Sequence, residues 1–301
     1  IKFKELMVSH FGQAERNIQK LFYVGQIVTL ENQAYQVVKI GKPVCSQGEP
    51  KTDIYLLLES NSKKVEIKIS YKKENADFLE NKIKPERAEQ LLGQDWQSII
   101  EKSTQQLKPA FLSKPLIYKT SYKRTEAGSI TLGWKFELMN KPSGELSGKI
   151  LLTQEQYLDI YSGSNLSDDK RHANVNNEKI PNSGVANYIL QGNQFSSAQE
   201  VLDRIELLED YILNSPEIYF ACKALNYRTF KQKFDGDRAL AVQVDWNITN
   251  GKLTPTLVFD KPLQWNGNSV AEKLLNNLNQ MQIKTTDDID INNAEVTCIH
   301  Q

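Results

Sequence analysis

The residues of this chain best placed to do chemistry are two carboxylates and a lysine, Asp53, Glu66 and Lys68. Glu66 and Lys68 alternate with apolar residues over positions 64–70, which is typical of a strand, so both side chains are expected on one face. Asp53 begins a preceding apolar strand. A hairpin turn centred on residues 60 and 61 would place Asp53 opposite Lys68, with their Cα atoms about 5 Å apart.

This constellation predicts a site for a hard divalent cation. Asp53, Glu66 and the backbone carbonyl of Ile67 can supply oxygen ligands and leave positions open for water and a phosphate oxygen, which suits magnesium. Lys68 would position or deprotonate the attacking water and offset charge that develops on the phosphate. The chemistry expected is magnesium-dependent hydrolysis of a phosphodiester bond.

The Glu-x-Lys tripeptide has little specificity by itself. The chain also contains Glu80-Asn81-Lys82 and the related Asp168-Asp169-Lys170, both in polar surroundings. What distinguishes Glu66-Ile67-Lys68 is its alternating strand and the aspartate that precedes it at hairpin distance. The alternative is an exposed, charged hairpin in a non-catalytic DNA-binding or scaffold protein.

Together, Pro50-Lys51-Thr52-Asp53 and Glu66-Ile67-Lys68 resemble the motif of the PD-(D/E)xK nuclease superfamily, and more narrowly of its type II restriction endonucleases. The resemblance covers about residues 10–125, and it departs from the family in placing the proline three residues before the aspartate. It implies that Asp53 and Glu66 are metal ligands and that Lys68 is the catalytic lysine.

Several members of that superfamily carry an additional acid on the first helix, facing the site. Glu15 is the candidate here, since residues 12–22 have apolar residues at helical spacing. The alternative for Glu15 is a solvated helix residue beside Arg16.

The pattern of elements predicts an α/β fold, with a central mixed β-sheet flanked by helices and a β-rich second half, and the resemblance implies that the sheet and its helices form a restriction endonuclease-like core. A first helix precedes two pairs of strands, at 27–30 and 35–40 and at 53–58 and 64–70, and helices follow at 85–92 and 96–107. Strands dominate residues 116–152, and a polar stretch at 162–183 is interpreted as a long loop. Helices near 198–213 and 270–281 flank further strands. We expect a nuclease core over residues 1–125 and a DNA-recognition and dimerisation region over 126–301, with a single domain as the alternative.

The formal net charge is zero, from 37 basic and 37 acidic residues, which argues against a protein that coats nucleic acid by global attraction. A locally basic cleft is still compatible with this balance. Near the proposed centre, phosphate contacts are expected from Lys51, Ser70, Lys72 and Lys73. In the polar stretch at 162–183, the residues expected to contact base edges are Arg171, Asn174, Asn182 and Ser183. The alternatives are a solvated lysine face and ordinary turn residues.

The remaining sequence features narrow the class of protein. Three widely spaced cysteines without metal-ligand spacing indicate a reducing compartment, and no apolar run is long enough to span a membrane, so a cytoplasmic protein is expected. A glycine-rich phosphate loop and a nucleophile elbow are absent from the sequence, which disfavours nucleotide hydrolases and esterases. The expected partner is double-stranded DNA. A homodimer is expected because two symmetric sites most simply cut a palindrome. A structure-directed or repair nuclease with the same metal site is the alternative enzyme.

Overall fold

The computed structural model describes residues 12–46, 48–61, 63–74, 78–214 and 217–301. In the first half of the described chain, the helices and strands are α1 (Gln13–Gln19), β1 (Ile27–Leu30), β2 (Gln33–Gly41), β3 (Ile54–Ser60), β4 (Lys63–Lys72), β5 (Phe78–Glu80), α2 (Pro85–Leu92), α3 (Trp96–Gln105), α4 (Lys108–Leu112), β6 (Ile117–Tyr118), β7 (Ser129–Met139) and β8 (Ser147–Lys149). They are followed by α5 (Gln154–Ser162), α6 (Asp168–Arg171), β9 (Asn174–Val175), β10 (Glu178–Lys179), β11 (Tyr188–Gln191), α7 (Ala198–Arg204), β12 (Glu206–Leu207), α8 (Leu208–Leu213), β13 (Tyr219–Arg228), β14 (Lys233–Phe234), β15 (Val242–Thr249), β16 (Lys252–Val258), α9 (Gly267–Gln280) and β17 (Ile299–His300).

The chain forms two compact units, and each is built from two separate segments. The first unit contains residues 1–77 and 153–216, and the second contains residues 78–152 and 217–301. This division differs from the boundary expected near residue 125. The reason is strand pairing between distant segments: β11 adds to β4 in the first unit, whereas β5 and β6 add to β7 in the second.

The first unit is organised around a mixed sheet with strand order β1-β2-β3-β4-β11-β12. Strands β1 to β4 form an antiparallel meander, β11 runs parallel to β4, and β12 runs antiparallel to β11. One face of the sheet is apolar, because alternate residues of β3 and β4 are fully buried there, and it packs against α1 and α7. The residues that form this core include Ile18, Ile54, Leu56, Ile67, Ile69, Val201 and Leu202.

The second unit is rich in strands, with a sheet of order β14-β13-β7-β15-β16 to which β5, β6, β8 and β17 add at the sides. Its central strand, β7, is buried along nearly its whole length. The fully buried Trp246 of β15 donates its indole N–H to the Thr131 carbonyl of β7 at 2.9 Å, which satisfies its polar atom inside the core. The α/β class is therefore confirmed, and strands occur in both units rather than being concentrated in residues 126–301.

Local sequence patterns predict some of the helices and strands correctly and others incorrectly. The helix over Pro85–Leu92 is confirmed, and Thr153 caps α5 in a capping box with Gln156. The helix expected over 198–213 is instead two helices, because β12 lies between them and pairs with β11.

The polar stretch at 162–183 is more structured than a long loop. It contains the short helix α6 and the hairpin of β9 and β10. Asn176 and Asn177 form the hairpin turn with φ angles of 51° and 67°, a left-handed conformation that asparagine adopts more readily than most residues. Cys45 is partly exposed, whereas Cys222 and Cys298 are buried. Among the described residues, none of the helices has the length and apolar character needed to cross a membrane.

Candidate active site

The hairpin of β3 and β4 has a different register from the one expected. Tyr55, rather than Asp53, pairs with Lys68, so the predicted Asp53–Lys68 pairing is wrong. The hairpin closes with Ser60 opposite Lys63, which moves the turn one residue towards the C-terminus and shifts the pairing by two residues. A shift of two residues keeps every side chain on its predicted face but moves Asp53 towards the far end of β4.

Asp53 is held at the start of β3 by bonds to both its backbone and its side chain. Its N–H donates to the Ile69 carbonyl at 2.8 Å, and its carboxylate Oδ2 accepts from the Tyr71 N–H at 2.8 Å. The amide of Gln19 in α1 donates to the Asp53 carbonyl at 3.3 Å. The carboxylate therefore lies beside the last residues of β4.

The preceding segment is also anchored. The N–H groups of Lys51 and Thr52 both donate to the Gly184 carbonyl, at 3.0 and 3.2 Å. Gly184 is required at this point, since an added Cβ would lie 1.8 Å from the Lys170 carbonyl oxygen. The turn that carries Asp53 is thus fixed against a segment that follows it by more than a hundred residues.

Four charged groups interact at this point, and we call them the Asp53 centre: Asp53, Glu15, Lys42 and Lys72. Burial raises the pKa of Asp53 to about 6, and the negative charge of Glu15 adds to that rise. The opposing influences are attraction by Lys72 and Lys42 and the hydrogen bond from the Tyr71 N–H. Two carboxylates and two ammonium groups therefore influence one another at one end of the sheet.

Glu15, the candidate auxiliary acid on α1, interacts electrostatically with Asp53. Its Oε2 lies 2.5 Å from the Nζ of Lys42, which directly follows β2. The two side chains are only 21% and 33% exposed, so neither is a fully solvated surface group. Lys42 was not identified from the sequence, where it carries no local signal.

Glu66 and Lys68 form a second pair on β4. The Oε1 of Glu66 accepts a hydrogen bond of 2.5 Å from the Tyr55 hydroxyl, and its Oε2 lies 3.9 Å from the Nζ of Lys68. Burial lowers the pKa of Lys68, and Glu66 opposes that shift. The influences on the pKa of Asp53 come instead from Lys72, Glu15, Lys42 and the Tyr71 N–H. The structure thus divides the predicted triad between the Asp53 centre and the Glu66–Lys68 pair.

The side chain of Asn187 fixes the backbone of this pair. It accepts from the Lys68 N–H at 2.8 Å and donates to the Glu66 carbonyl at 3.0 Å. Because backbone polar groups alternate in direction along a strand, the carbonyl of Ile67 faces β3, where Ile67 pairs with Leu56. Using that carbonyl as a metal ligand, as the sequence suggested, would disrupt the ladder.

The predicted DNA contacts differ in their accessibility. Ser70 and Ser183 are 1% and 0% exposed, and the Ser183 hydroxyl donates to the Ala173 carbonyl, so neither can reach DNA without rearrangement. Lys73, Asn174 and Asn182 are exposed.

The other predicted DNA contacts, Lys51, Lys72 and Arg171, are partly exposed. The guanidinium of Arg171 lies 3.4 Å from an Asp168 carboxylate oxygen and donates to the Ser164 carbonyl at 3.4 Å. Contact with a base edge would require Arg171 to exchange these partners.

Within the described part of the chain, no group of three or more His, Cys, Asp and Glu side chains is arranged to hold a metal ion. Asp53 and Glu15 instead offer two carboxylates. That number fits magnesium, which usually keeps several waters and binds through one or two carboxylates together with substrate phosphates. The ammonium of Lys42 already contacts Glu15, so this position attracts a cation.

Comparison of the chain with protein-family models, curated proteins and solved structures gives no match. The inferences below therefore rest on the residues of the Asp53 centre and their geometry.

Proposed function

We propose that this protein is a magnesium-dependent endonuclease that hydrolyses double-stranded DNA at a specific sequence, in the manner of a type II restriction endonuclease. The observation that carries the proposal is the Asp53 centre. It combines a half-buried carboxylate with a second acid and two lysines. Paired carboxylates to hold a cation and ammonium groups to receive a phosphate are what phosphodiester hydrolysis needs.

The first unit supports this proposal by its architecture. A mixed sheet with helix α1 before the meander and a parallel strand added to β4 is compatible with the restriction endonuclease-like core that the sequence resemblance implies. Asp53 directly precedes β3, and the candidate lysines Lys68 and Lys72 lie on the neighbouring strand. The order of Asp53 and Lys68 along the hairpin is the one the resemblance implies.

In the proposed mechanism, Asp53 and Glu15 hold the cation, and Lys72 acts on the phosphate. When bound, magnesium would polarise the scissile phosphate and make a water molecule more acidic. Lys72 would stabilise the negative charge that develops on the phosphate oxygens, because its ammonium already interacts with Asp53. The Tyr71 N–H keeps the Asp53 carboxylate oriented, and Gln19 and Gly184 fix the backbone beside it.

Recognition of DNA is proposed for the exposed polar residues of the first unit. Lys73 would contact phosphates, and Asn174 and Asn182 lie on the surface where they can reach bases. A homodimer in the cytoplasm acting on palindromic DNA is the assembly that fits such an enzyme.

The test of this function is incubation of the purified protein with plasmid and phage DNA in magnesium, on methylated and unmethylated substrates. Discrete fragments are expected, and they should disappear when EDTA removes the metal. Magnesium-dependent smearing or nicking would instead indicate a structure-directed or repair nuclease. Intact DNA in every lane would refute a nuclease and favour a non-catalytic binding protein.

Glu15→Gln should weaken binding of magnesium, because it removes one of two proposed carboxylate ligands. We expect the magnesium concentration that supports half-maximal cleavage to rise about tenfold to a hundredfold, with partial recovery at saturating metal. A titration of cleavage rate against magnesium measures this. Glu59→Gln is the matched control, since Glu59 is a partly exposed carboxylate on β3 that pairs with Lys64. An unchanged magnesium dependence in Glu15→Gln would remove Glu15 from the site.

A further inference from the structure

The ammonium group of Lys42 lies among carboxylates of the Asp53 centre. Its Nζ is 2.5 Å from Glu15 Oε2, and it is also attracted by Asp53 and by Glu49. Lys42 follows the end of β2, whereas Glu15 lies on α1 and Asp53 precedes β3. The positive charge is therefore brought to the centre by an element that carries neither Glu15 nor Asp53.

This ion pair differs from an ordinary surface salt bridge in its surroundings. Lys42 and Glu15 are mostly shielded from solvent. Burial by itself lowers the pKa of Lys42, but its hydrogen bond to Glu15 and the attraction of the neighbouring carboxylates raise it above its usual value. The contact between Lys42 and Glu15 is therefore a partly buried ion pair.

A shielded carboxylate left without a positive partner is costly, so the centre needs a cation whether or not metal is present. The ammonium of Lys42 contacts Oε2 of Glu15, one of the two carboxylate oxygens that a metal ion would need. An oxygen of this partly buried carboxylate cannot bind the ammonium group and a metal ion at full strength at the same time.

We propose that Lys42 is a built-in counter-ion that occupies the cation position beside Glu15 and Asp53 in the metal-free protein, and that a divalent cation binds by displacing it from Glu15. This rests on the proposed function, in that the centre must accept a divalent cation. Lys42 then has two effects: it stabilises the metal-free fold and lowers the affinity for metal.

The test is calorimetric titration of Mn²⁺ into the wild-type protein, Lys42→Met and Asp53→Asn, without DNA. Lys42→Met keeps the apolar stem and removes the charge, so it should bind Mn²⁺ about fivefold more tightly, the gain expected when a competing ion pair worth roughly 1 kcal/mol is removed. Asp53→Asn should abolish binding. The matched control is Lys39→Met, which removes a lysine of β2 that pairs with Glu178 and should leave the affinity unchanged.

A second readout is thermal unfolding with and without Mn²⁺. Lys42→Met should unfold at a lower temperature than wild type without metal and gain more stability from metal. If Lys42→Met does not fold, Lys42→Gln retains a donor for Glu15 without the charge and should also bind Mn²⁺ more tightly than wild type.

Two results would overturn the inference, and they differ in what they say about the function. In the first, the folded Lys42 variants bind Mn²⁺ as tightly as wild type or more weakly, and wild-type binding still depends on Asp53. This would show that Lys42 does not compete with the metal ion, while the proposed metal site would remain supported. Lack of Mn²⁺ binding by wild type and variants alike would overturn both the counter-ion role and the metal-dependent function.

Discussion

Asp53→Asn should abolish DNA cleavage while making the metal-free protein more stable. The loss of activity follows because the amide cannot replace the anionic oxygen that holds a divalent cation. We expect cleavage to fall by at least about a thousandfold, a size typical of the loss of a group essential to electrostatic catalysis. The measurement is the initial rate of plasmid cleavage in saturating magnesium.

The gain in stability follows from the raised pKa of Asp53. Between the unfolded value near 4 and the folded value of about 6, the folded state binds more protons than the unfolded state. Stability contributed by this group is therefore present below that window and lost as pH rises through it. Asn remains neutral and can still accept from the Tyr71 N–H, so the variant should be more stable than wild type at pH 7 by ~1–3 kcal/mol.

This second effect is measured by urea unfolding in EDTA across pH 4 to 8. The difference between variant and wild type should shrink as pH falls from 8 to 4, where Asp53 is protonated in the folded state and about half protonated in the unfolded state. Glu59→Gln serves as the control, because Glu59 is partly exposed on the same strand. A variant that is less stable than wild type at pH 7 would contradict the described surroundings of Asp53, and full cleavage by Asp53→Asn would refute the Asp53 centre as the active site.

The second large effect distinguishes two lysines of β4. Lys72→Met should reduce the cleavage rate at saturating magnesium by about a hundredfold to a thousandfold, because Lys72 interacts with Asp53 and would stabilise charge on the phosphate. Lys68→Met should have a smaller effect, about tenfold or less, since its ammonium lies beside Glu66. Single-turnover rates of the two variants give the comparison.

Lys64→Met controls for the removal of a lysine from the same face of β4, since Lys64 is 61% exposed and pairs with Glu59. The opposite ranking is informative: a large loss in Lys68→Met with near-normal cleavage in Lys72→Met would make Glu66 and Lys68 the catalytic pair, as the sequence motif indicates. Equal, small losses in both variants would exclude a catalytic role for either lysine.

The hairpin of β3 and β4 shows which structural features the sequence alone predicts and which it does not. Alternation of apolar residues correctly places Glu66 and Lys68 on one face of a strand, and the fully buried Ile67 on the other. The polar segment between the strands does not fix the turn, since closing pairs one residue apart are equally compatible with it. The pairing of Tyr55 with Lys68 therefore emerges only from the folded hairpin.

The sequence by itself determined the local features of this protein: the helix at Pro85–Leu92, the strands of the hairpin, and Asp53 and Glu15 as candidate acids. Only the tertiary structure decided which groups meet Asp53. Lys42 and Glu15 are 27 residues apart, and Asn187 is 119 residues from the Lys68 whose backbone it fixes. Periodicity and turn chemistry act over a few residues, whereas these contacts depend on strand register and on pairing between distant segments, which many different residues can satisfy.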